Sequence, residues 1–128
     1  MGNVFCEVPV APSAAQQPVD LDHLAQYTGG DAKLNAEVLG LFVRQCAESL
    51  AQLQTLRGVP AELRTWHDTL HRLKGSAMGV GAFALAEEIA SAETIDPEAA
   101  PAEAAAALEH LERRRGLVNG FVAAYLAR

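Results

Sequence analysis

The sequence predicts an all-α protein, an antiparallel up-down four-helix bundle with a short additional helix on its N-terminal side. Apolar residues recur at spacings of three and four along several stretches, which is typical of helices that pack one face into a core. The sequence lacks the clean alternation of apolar and polar residues that marks a half-buried strand. Glycines and prolines separate the helical stretches by short connections, and such connections make consecutive helices antiparallel neighbours.

The chain begins with a stretch that follows no helical pattern. Residues 1–18 contain three prolines separated mainly by small and polar residues, so we interpret them as an extended arm. Residues 19–128 are then interpreted as one helical domain. Asp20 is suited to N-cap a short helix over residues 20–27, which the following pair of glycines would end.

Four longer helices follow, and local signals set their predicted ends. Gly79 and Gly81 predict a tight turn between the second and third of them, because glycine adopts the left-handed conformation easily. Asp96 followed by Pro97 predicts an N-cap and a first helical residue for the last one. The predicted ranges are 31–57, 61–78, 82–94 and 98–126. Apart from the helix 61–78, the mostly apolar residues predicted to face inward are Leu34, Val38, Leu41, Phe42, Gln45, Cys46, Ser49, Leu50, Leu53, Leu85, Ile89, Ala92, Leu108, Leu111, Val118, Phe121, Val122 and Tyr125.

Composition limits the classes of function. The chain has 128 residues and a net charge of −6, which argues against general nucleic-acid binding. Cys6 and Cys46 are its two cysteines, and they form no CxxC or zinc-ligand pattern. No apolar run approaches the roughly 20 residues that span a bilayer, and the N-terminus has no signal-peptide pattern. We therefore expect a monomeric cytoplasmic protein that does not associate with membranes.

The helix predicted over residues 61–78 carries the most informative pattern. Its apolar residues form one stripe that would face the core: Leu63, Trp66, Leu70, Leu73 and Ala77. A neighbouring stripe carries a different set, and it is predicted to lie at the edge of the core: Arg64, His67, His71, Lys74, Gly75 and Met78. His71 is therefore expected to point outward, with a cation and a glycine one turn further on.

Gly75 is the unusual member of this second stripe. A glycine in the middle of a helix costs about 1 kcal/mol relative to alanine, so its presence requires a reason. Because Gly75 lies beside His71 on the helix surface, the missing side chain would let another protein approach the imidazole. Lys74 would supply a positive charge for an anion held there. An exposed nucleophile, a cation and a bare approach surface together indicate phosphoryl transfer to and from His71.

The segment around His71 resembles the signature of histidine-containing phosphotransfer (HPt) domains. The resemblance rests on His71-Arg72-Leu73-Lys74-Gly75-Ser76, Gly79-Val80-Gly81-Ala82 and Leu85, and it extends over roughly residues 18–127. HPt domains are small helical proteins that shuttle phosphoryl groups between aspartates of receiver domains in two-component phosphorelays.

The resemblance implies a role for each residue of the second stripe. His71 would be the phosphoacceptor, Lys74 would stabilise the phosphoryl group, and Gly75 would leave room for the receiver. Receiver docking is further assigned to a set of flanking residues: Arg64, His67, Arg72 and Met78.

The resemblance also implies partners and cofactors. Partners would be response-regulator receiver domains, a hybrid histidine kinase, or both. The receiver would supply Mg²⁺, and this chain would need no cofactor of its own. No Gly-rich phosphate loop is present, so we expect a phosphocarrier without ATP-dependent kinase activity.

The sequence is also compatible with two other functions. A helical adaptor could bind response regulators or a kinase without carrying phosphate. A metal-binding bundle could use His67 and His71, which are four residues apart, although no glutamate accompanies them in a recognised metal motif. The basic run 113–115 is interpreted as a solvated face paired with Glu109 and Glu112.

Overall fold

The computed structural model describes residues 17–56 and 63–128, and these residues form five α-helices and no strand. The helices are α1 (Leu21–Thr28), α2 (Ala32–Leu56), α3 (Leu63–Val80), α4 (Phe83–Glu93) and α5 (Pro101–Leu126). The all-α prediction is therefore confirmed. The predicted arm over residues 1–16 and the predicted helix ends between residues 57 and 62 lie outside the described residues.

Each of the four larger helices packs against two of the others. Helix α2 contacts α3 and α5, α4 contacts the same two helices, and α1 lies against α2 and α3. A cluster of buried, mostly aliphatic side chains fills the space between them, with Trp66 fully buried. Cys46 is buried among them as predicted, and burial raises the pKa of its thiol to about 12. The up-down order of the helices stays a prediction from their short connections.

Helix α1 begins and ends as its sequence predicts. The Asp20 side chain accepts a hydrogen bond from the His23 backbone N–H, and Gly29 ends the helix with φ +66°. At the other end of α1, the Thr28 hydroxyl pairs with the Asn35 side chain, whose amide donates to the Tyr125 hydroxyl at 3.2 Å. These polar contacts connect α1 to α2 and to the last turns of α5.

The turn between α3 and α4 differs in one detail from the prediction. Gly79 lies inside α3, which continues to Val80. Of the two glycines predicted to form the turn, Gly81 alone has a positive φ, +89°. Gly81 also lies against α1, because the Asp20 N–H donates to its carbonyl at 2.9 Å. A Cβ at position 81 would lie 2.6 Å from the Asp20 carbonyl oxygen. Both the backbone conformation and the close approach therefore require glycine here.

Two other predictions were wrong. Helix α5 begins at Pro101 rather than at residue 98, because the residue before a proline is disfavoured in the helical conformation, and Ala100 has φ −133° and ψ 66°. Asp96 instead caps a turn by accepting hydrogen bonds from the backbone of residues 98 and 99. Leu63 was predicted to face the core, but it lies in the first turn of α3 and is 37% exposed.

Candidate functional site

The outward position of His71 follows from the way α3 is held in the core. Trp66, Leu70, Leu73 and Ala77 are at most 1% exposed, which fixes the rotation of the helix about its axis. The indole N–H of Trp66 also donates to the Ala92 carbonyl of α4 at 3.4 Å. His71 lies beyond the edge of this buried stripe, and its side chain is 73% exposed. The core thus presents the imidazole to the surface on a rigid element.

A glutamate from α4 completes the surroundings of His71. The His71 Nδ1 atom lies 3.4 Å from one carboxylate oxygen of Glu93. The other carboxylate oxygen lies 2.7 Å from Lys74 Nζ. Glu93 therefore joins the imidazole and the lysine, and its side chain is only 18% exposed.

The sequence analysis did not identify Glu93 as a site residue, although its position on α4 could have indicated it. It lies 22 residues after His71, so no local pattern connects the two. It does continue the apolar stripe of α4, because it follows the buried Ile89 by four positions. A carboxylate at a position where the helix would bury an apolar residue is the feature that could have identified it.

The charge of Glu93 decides which tautomer of His71 the contact favours. Burial acts to raise the pKa of the Glu93 carboxyl group, but hydrogen bonds and charges from Lys74 and His71 outweigh it and hold the pKa below 4.5. Glu93 is thus a carboxylate at neutral pH, and a carboxylate only accepts hydrogen bonds. The contact therefore favours a proton on Nδ1 of a neutral His71, which leaves the lone pair on Nε2.

The surface beside His71 is bare along two turns of α3. Within residues 17–56 and 63–128, a Cβ added at Gly75 or at Gly79 would meet no neighbouring heavy atom within 4 Å. Among the described residues, Gly75 is therefore not a close contact between two helices. The His71, Gly75 and Gly79 positions follow one another at intervals of four, so they form one continuous strip on the helix surface. We refer to this strip as the glycine track.

The other docking residues predicted from sequence surround His71 less closely. Arg64 and Arg72 are exposed, and His67 is half-buried one turn before His71. Met78 is 49% exposed and lies one turn after Lys74. Arg64 is about 10 Å along the helix axis from His71, so it lies at the margin of any surface centred there. The structure thus brings Lys74 and Gly75 to His71 and leaves these four residues around them.

An apolar groove, which was not predicted, adjoins the far end of the glycine track. Its volume is about 490 Å³, and α1, α2 and α3 form its walls. Gly79 is part of its lining, and Tyr27 and Leu41 contribute side chains that are 68% and 60% exposed. The complete lining is Leu24, Tyr27, Thr28, Leu34, Val38, Leu41, Phe42, Gln45, Ser76, Gly79 and Val80. The sequence had placed Leu34 and Leu41 in the core, but α1 is too short to cover them.

The described residues show two further properties. In residues 17–56 and 63–128, no group of three or more His, Cys, Asp or Glu side chains is placed to hold a metal ion. Within the same ranges, none of the helices combines the length and the apolar character needed to cross a bilayer.

Comparison with known families identifies the chain. The family model described as "Hpt domain" matches residues 37–119, a range that contains His71, Lys74, Gly75 and Glu93. Searches among curated proteins and among solved structures found no match. The matched range covers more than half of the chain. The protein therefore belongs to the Hpt domain family, whose members take part in histidine phosphotransfer in phosphorelays together with receiver domains and kinases.

Proposed function

We propose that this protein accepts a phosphoryl group on Nε2 of His71 from the aspartyl phosphate of one receiver domain and passes it to another. The observation that carries the proposal is the exposed imidazole of His71, held through Nδ1 by Glu93 in a chain of the Hpt family. That contact leaves the nucleophilic nitrogen directed away from the carboxylate, where a partner can present the phosphorus atom.

The transfer step needs only groups of this site and of the receiver. The Nε2 lone pair attacks the phosphorus atom, the N–P bond forms, and the P–O bond to the receiver aspartate breaks. The aspartate leaves as a carboxylate, and Nδ1 keeps its proton throughout. The imidazole ring becomes positively charged, and Glu93 faces that charge through Nδ1. Transfer to the second receiver is the reverse of this step.

Lys74 and Glu93 act on the charges that form during transfer. Lys74 is held 2.7 Å from Glu93 in the unphosphorylated protein, so its ammonium group is already beside the imidazole. A phosphoryl group on Nε2 brings new negative charge within reach of this flexible side chain, which then contacts the phosphoryl oxygens. Mg²⁺ and the acidic residues that bind it belong to the receiver. Catalysis consists of positioning and charge stabilisation.

The receiver docks over the glycine track and against the apolar groove. Gly79 borders the groove, and it lies about 12 Å along the helix axis from His71. A small domain spans that distance easily, so one partner can fill the groove and place its aspartate at His71. Met78, Arg64, His67 and Arg72 would contact the same partner from the edges. We expect the chain to act as a monomer in the cytoplasm and to depend on its partners for phosphate, without ATP-dependent kinase activity.

Substitution of His71 tests the proposal directly. His71→Gln keeps a polar side chain at an exposed helical position, so it should fold like wild type. Incubation with a receiver labelled with radioactive phosphate should label wild type and leave the variant unlabelled. The label on wild type should be lost in acid and kept in base, as is typical of a phosphoramidate. Equal labelling of both proteins would refute phosphotransfer through His71. Receiver binding without label on either protein would favour the adaptor function.

A further inference from the structure

A second cleft lies between α4 and α5, away from His71. Its lining consists of Glu88, His110, Arg113, Arg114 and Leu117, and its volume is about 380 Å³. The side chains of His110 and Arg114 are 53% and 43% exposed. We refer to this site as the basic cleft.

The basic cleft has more positive charge than its own carboxylate neutralises. Glu88 is the one acidic residue of the lining, and it lies 3.8 Å from Arg114 Nε and 3.9 Å from His110 Nδ1. Both distances exceed those of hydrogen bonds, so Glu88 forms only a loose ion pair with Arg114. Arg113 forms no ion pair within 4 Å with any described residue.

Of the two partners predicted for the basic run 113–115, only Glu112 forms an ion pair among the described residues. Arg115 pairs with Glu112 at 2.8 Å, as predicted. Glu109, however, has no ion pair with the described residues, so it does not neutralise its neighbours on α5. Among the described residues, Arg113 is thus without an ion pair and Arg114 has only the loose one with Glu88, in a protein whose net charge is −6. Positive charge concentrated at one concave site attracts an anionic group locally, even though the whole chain is negatively charged.

An exposed leucine at the edge of the basic cleft indicates which chemical groups a ligand would need. Leu117 belongs to the lining and is 54% exposed. A ligand that satisfies both features carries carboxylates for the arginines and an apolar side chain to cover the leucine. A nucleic acid offers phosphates but no aliphatic side chain, and the overall negative charge of the chain repels a long polyanion. We propose that the basic cleft binds an acidic peptide segment of a partner protein, one that contains an apolar residue between its carboxylates.

The basic cleft faces a different side of the bundle from His71. Glu88 and Glu93 are five residues apart on α4, which separates their directions by about 140° around the helix axis. Glu93 reaches His71 on α3, whereas Glu88 reaches His110 and Arg114 on α5. A peptide in the basic cleft therefore leaves His71 and the glycine track accessible. It would hold the protein on a partner while receivers exchange at the other face.

Peptide binding to the full chain tests this inference. The probe is a fluorescein-labelled peptide of twelve residues with six glutamates and two leucines, and a second peptide replaces every glutamate with glutamine. Anisotropy at near-physiological salt should show saturable binding of the acidic peptide, with a Kd on the order of 100 µM or tighter. The affinity should fall as salt is raised. The glutamine peptide should bind much more weakly.

Two double variants with equal charge change locate the binding site. Arg113→Glu with Arg114→Glu should weaken binding by about tenfold or more, because both cations of the basic cleft are reversed. Lys33→Glu with Arg44→Glu makes the same change in net charge at exposed positions of α2, and it should have a much smaller effect. Amide chemical shifts in the labelled wild-type protein should change around residues 110–117 and remain unchanged around residues 71–79.

Several results would overturn the inference. These are a lack of saturable binding, equal loss of affinity in both double variants, or shift changes centred on α3. Tighter binding of a thymidine oligonucleotide than of the acidic peptide would also overturn it. This test is independent of the phosphotransfer proposal. Phosphoramidate should label His71 equally in wild type and in the Arg113→Glu, Arg114→Glu variant. His71→Gln should bind the peptide like wild type.

Discussion

Replacing Gly75 with glutamine separates receiver access from folding. A Cβ at Gly75 would meet no neighbouring atom of the described residues within 4 Å, so the new side chain causes no clash with them. Glutamine is a better helix former than glycine by about 0.5 kcal/mol. For a domain of this size, that gain raises the Tm by about 2 °C. The variant should therefore be as stable as wild type or slightly more stable.

The same side chain should obstruct a docked receiver. It would occupy the glycine track one turn from His71, in space that the partner needs in order to reach Nε2. Forcing a side chain into a packed contact costs about 1–3 kcal/mol, which corresponds to a loss of affinity of roughly 5- to 150-fold. Phosphotransfer from a labelled receiver should fall accordingly. Labelling by phosphoramidate, a small donor that needs no docking, should change little.

Gly116 on α5 provides a matched control. It is exposed and lies within a helix, and a Cβ added there would also meet no atom of the part of the chain that the structure describes within 4 Å. Gly116→Gln should therefore raise the Tm by a similar amount while leaving transfer from the receiver unchanged. If Gly75→Gln melts clearly below wild type, the helix surface is not open at this position. If it is stable and still accepts phosphate from receivers at the wild-type rate, the partner does not approach over the glycine track.

Three further predictions concern the site and the apolar groove. Lys74→Ala should lower the transfer rate, or shorten the lifetime of phosphorylated His71, by roughly 10- to 150-fold, because the loss of one charge-assisted hydrogen bond costs about 1.5–3 kcal/mol; unchanged values of both would make Lys74 a solvated charge. Glu93 has a lowered pKa in the folded protein, so the stability it contributes is present above pH 4.5 and is lost as the pH falls through its folded pKa. Urea denaturation should accordingly find Glu93→Gln less stable than wild type at pH 7, with the difference shrinking below pH 4.5, and a constant difference would contradict the ion pair. Leu41→Glu should weaken receiver binding, because it places a charge in the apolar groove, whereas Leu126→Glu, at a leucine with a similar exposed fraction of 52%, should not; equal affinities in a titration would exclude the groove from the interface.

The parts of the fold that depend on local sequence were predictable. The spacing of Trp66, Leu70 and Leu73 fixes which side of α3 is buried, and that alone directs His71 outward. The cap at Asp20 and the positive φ of Gly29 follow from residue types that favour those conformations. The start of α5 at Pro101 could also have been predicted, because a proline restricts the backbone conformation of the residue before it.

Features that depend on the distance between helices were not predictable from periodicity. Glu93 reaches His71 because α4 packs beside α3 at a particular depth, and helical spacing within one segment contains no information about that depth. The apolar groove exists because α1 has only eight residues and leaves part of α2 uncovered. Leu41 was predicted to face the core because it belongs to the apolar stripe of α2, but none of the described residues covers it.

The contact between Asp20 and Gly81 has a consequence for the local stability of α1. A helix of eight residues is unstable by itself, so α1 depends on its contacts with the bundle. One of these contacts is with the turn between α3 and α4, which lies 61 residues further along the chain. We therefore expect α1 to open locally more readily than the helices of the core. Helix α1 forms one wall of the apolar groove, and we expect its amide hydrogens to exchange faster than those of the core helices. This wall can then change shape when a receiver binds, without disturbing the helices that hold His71.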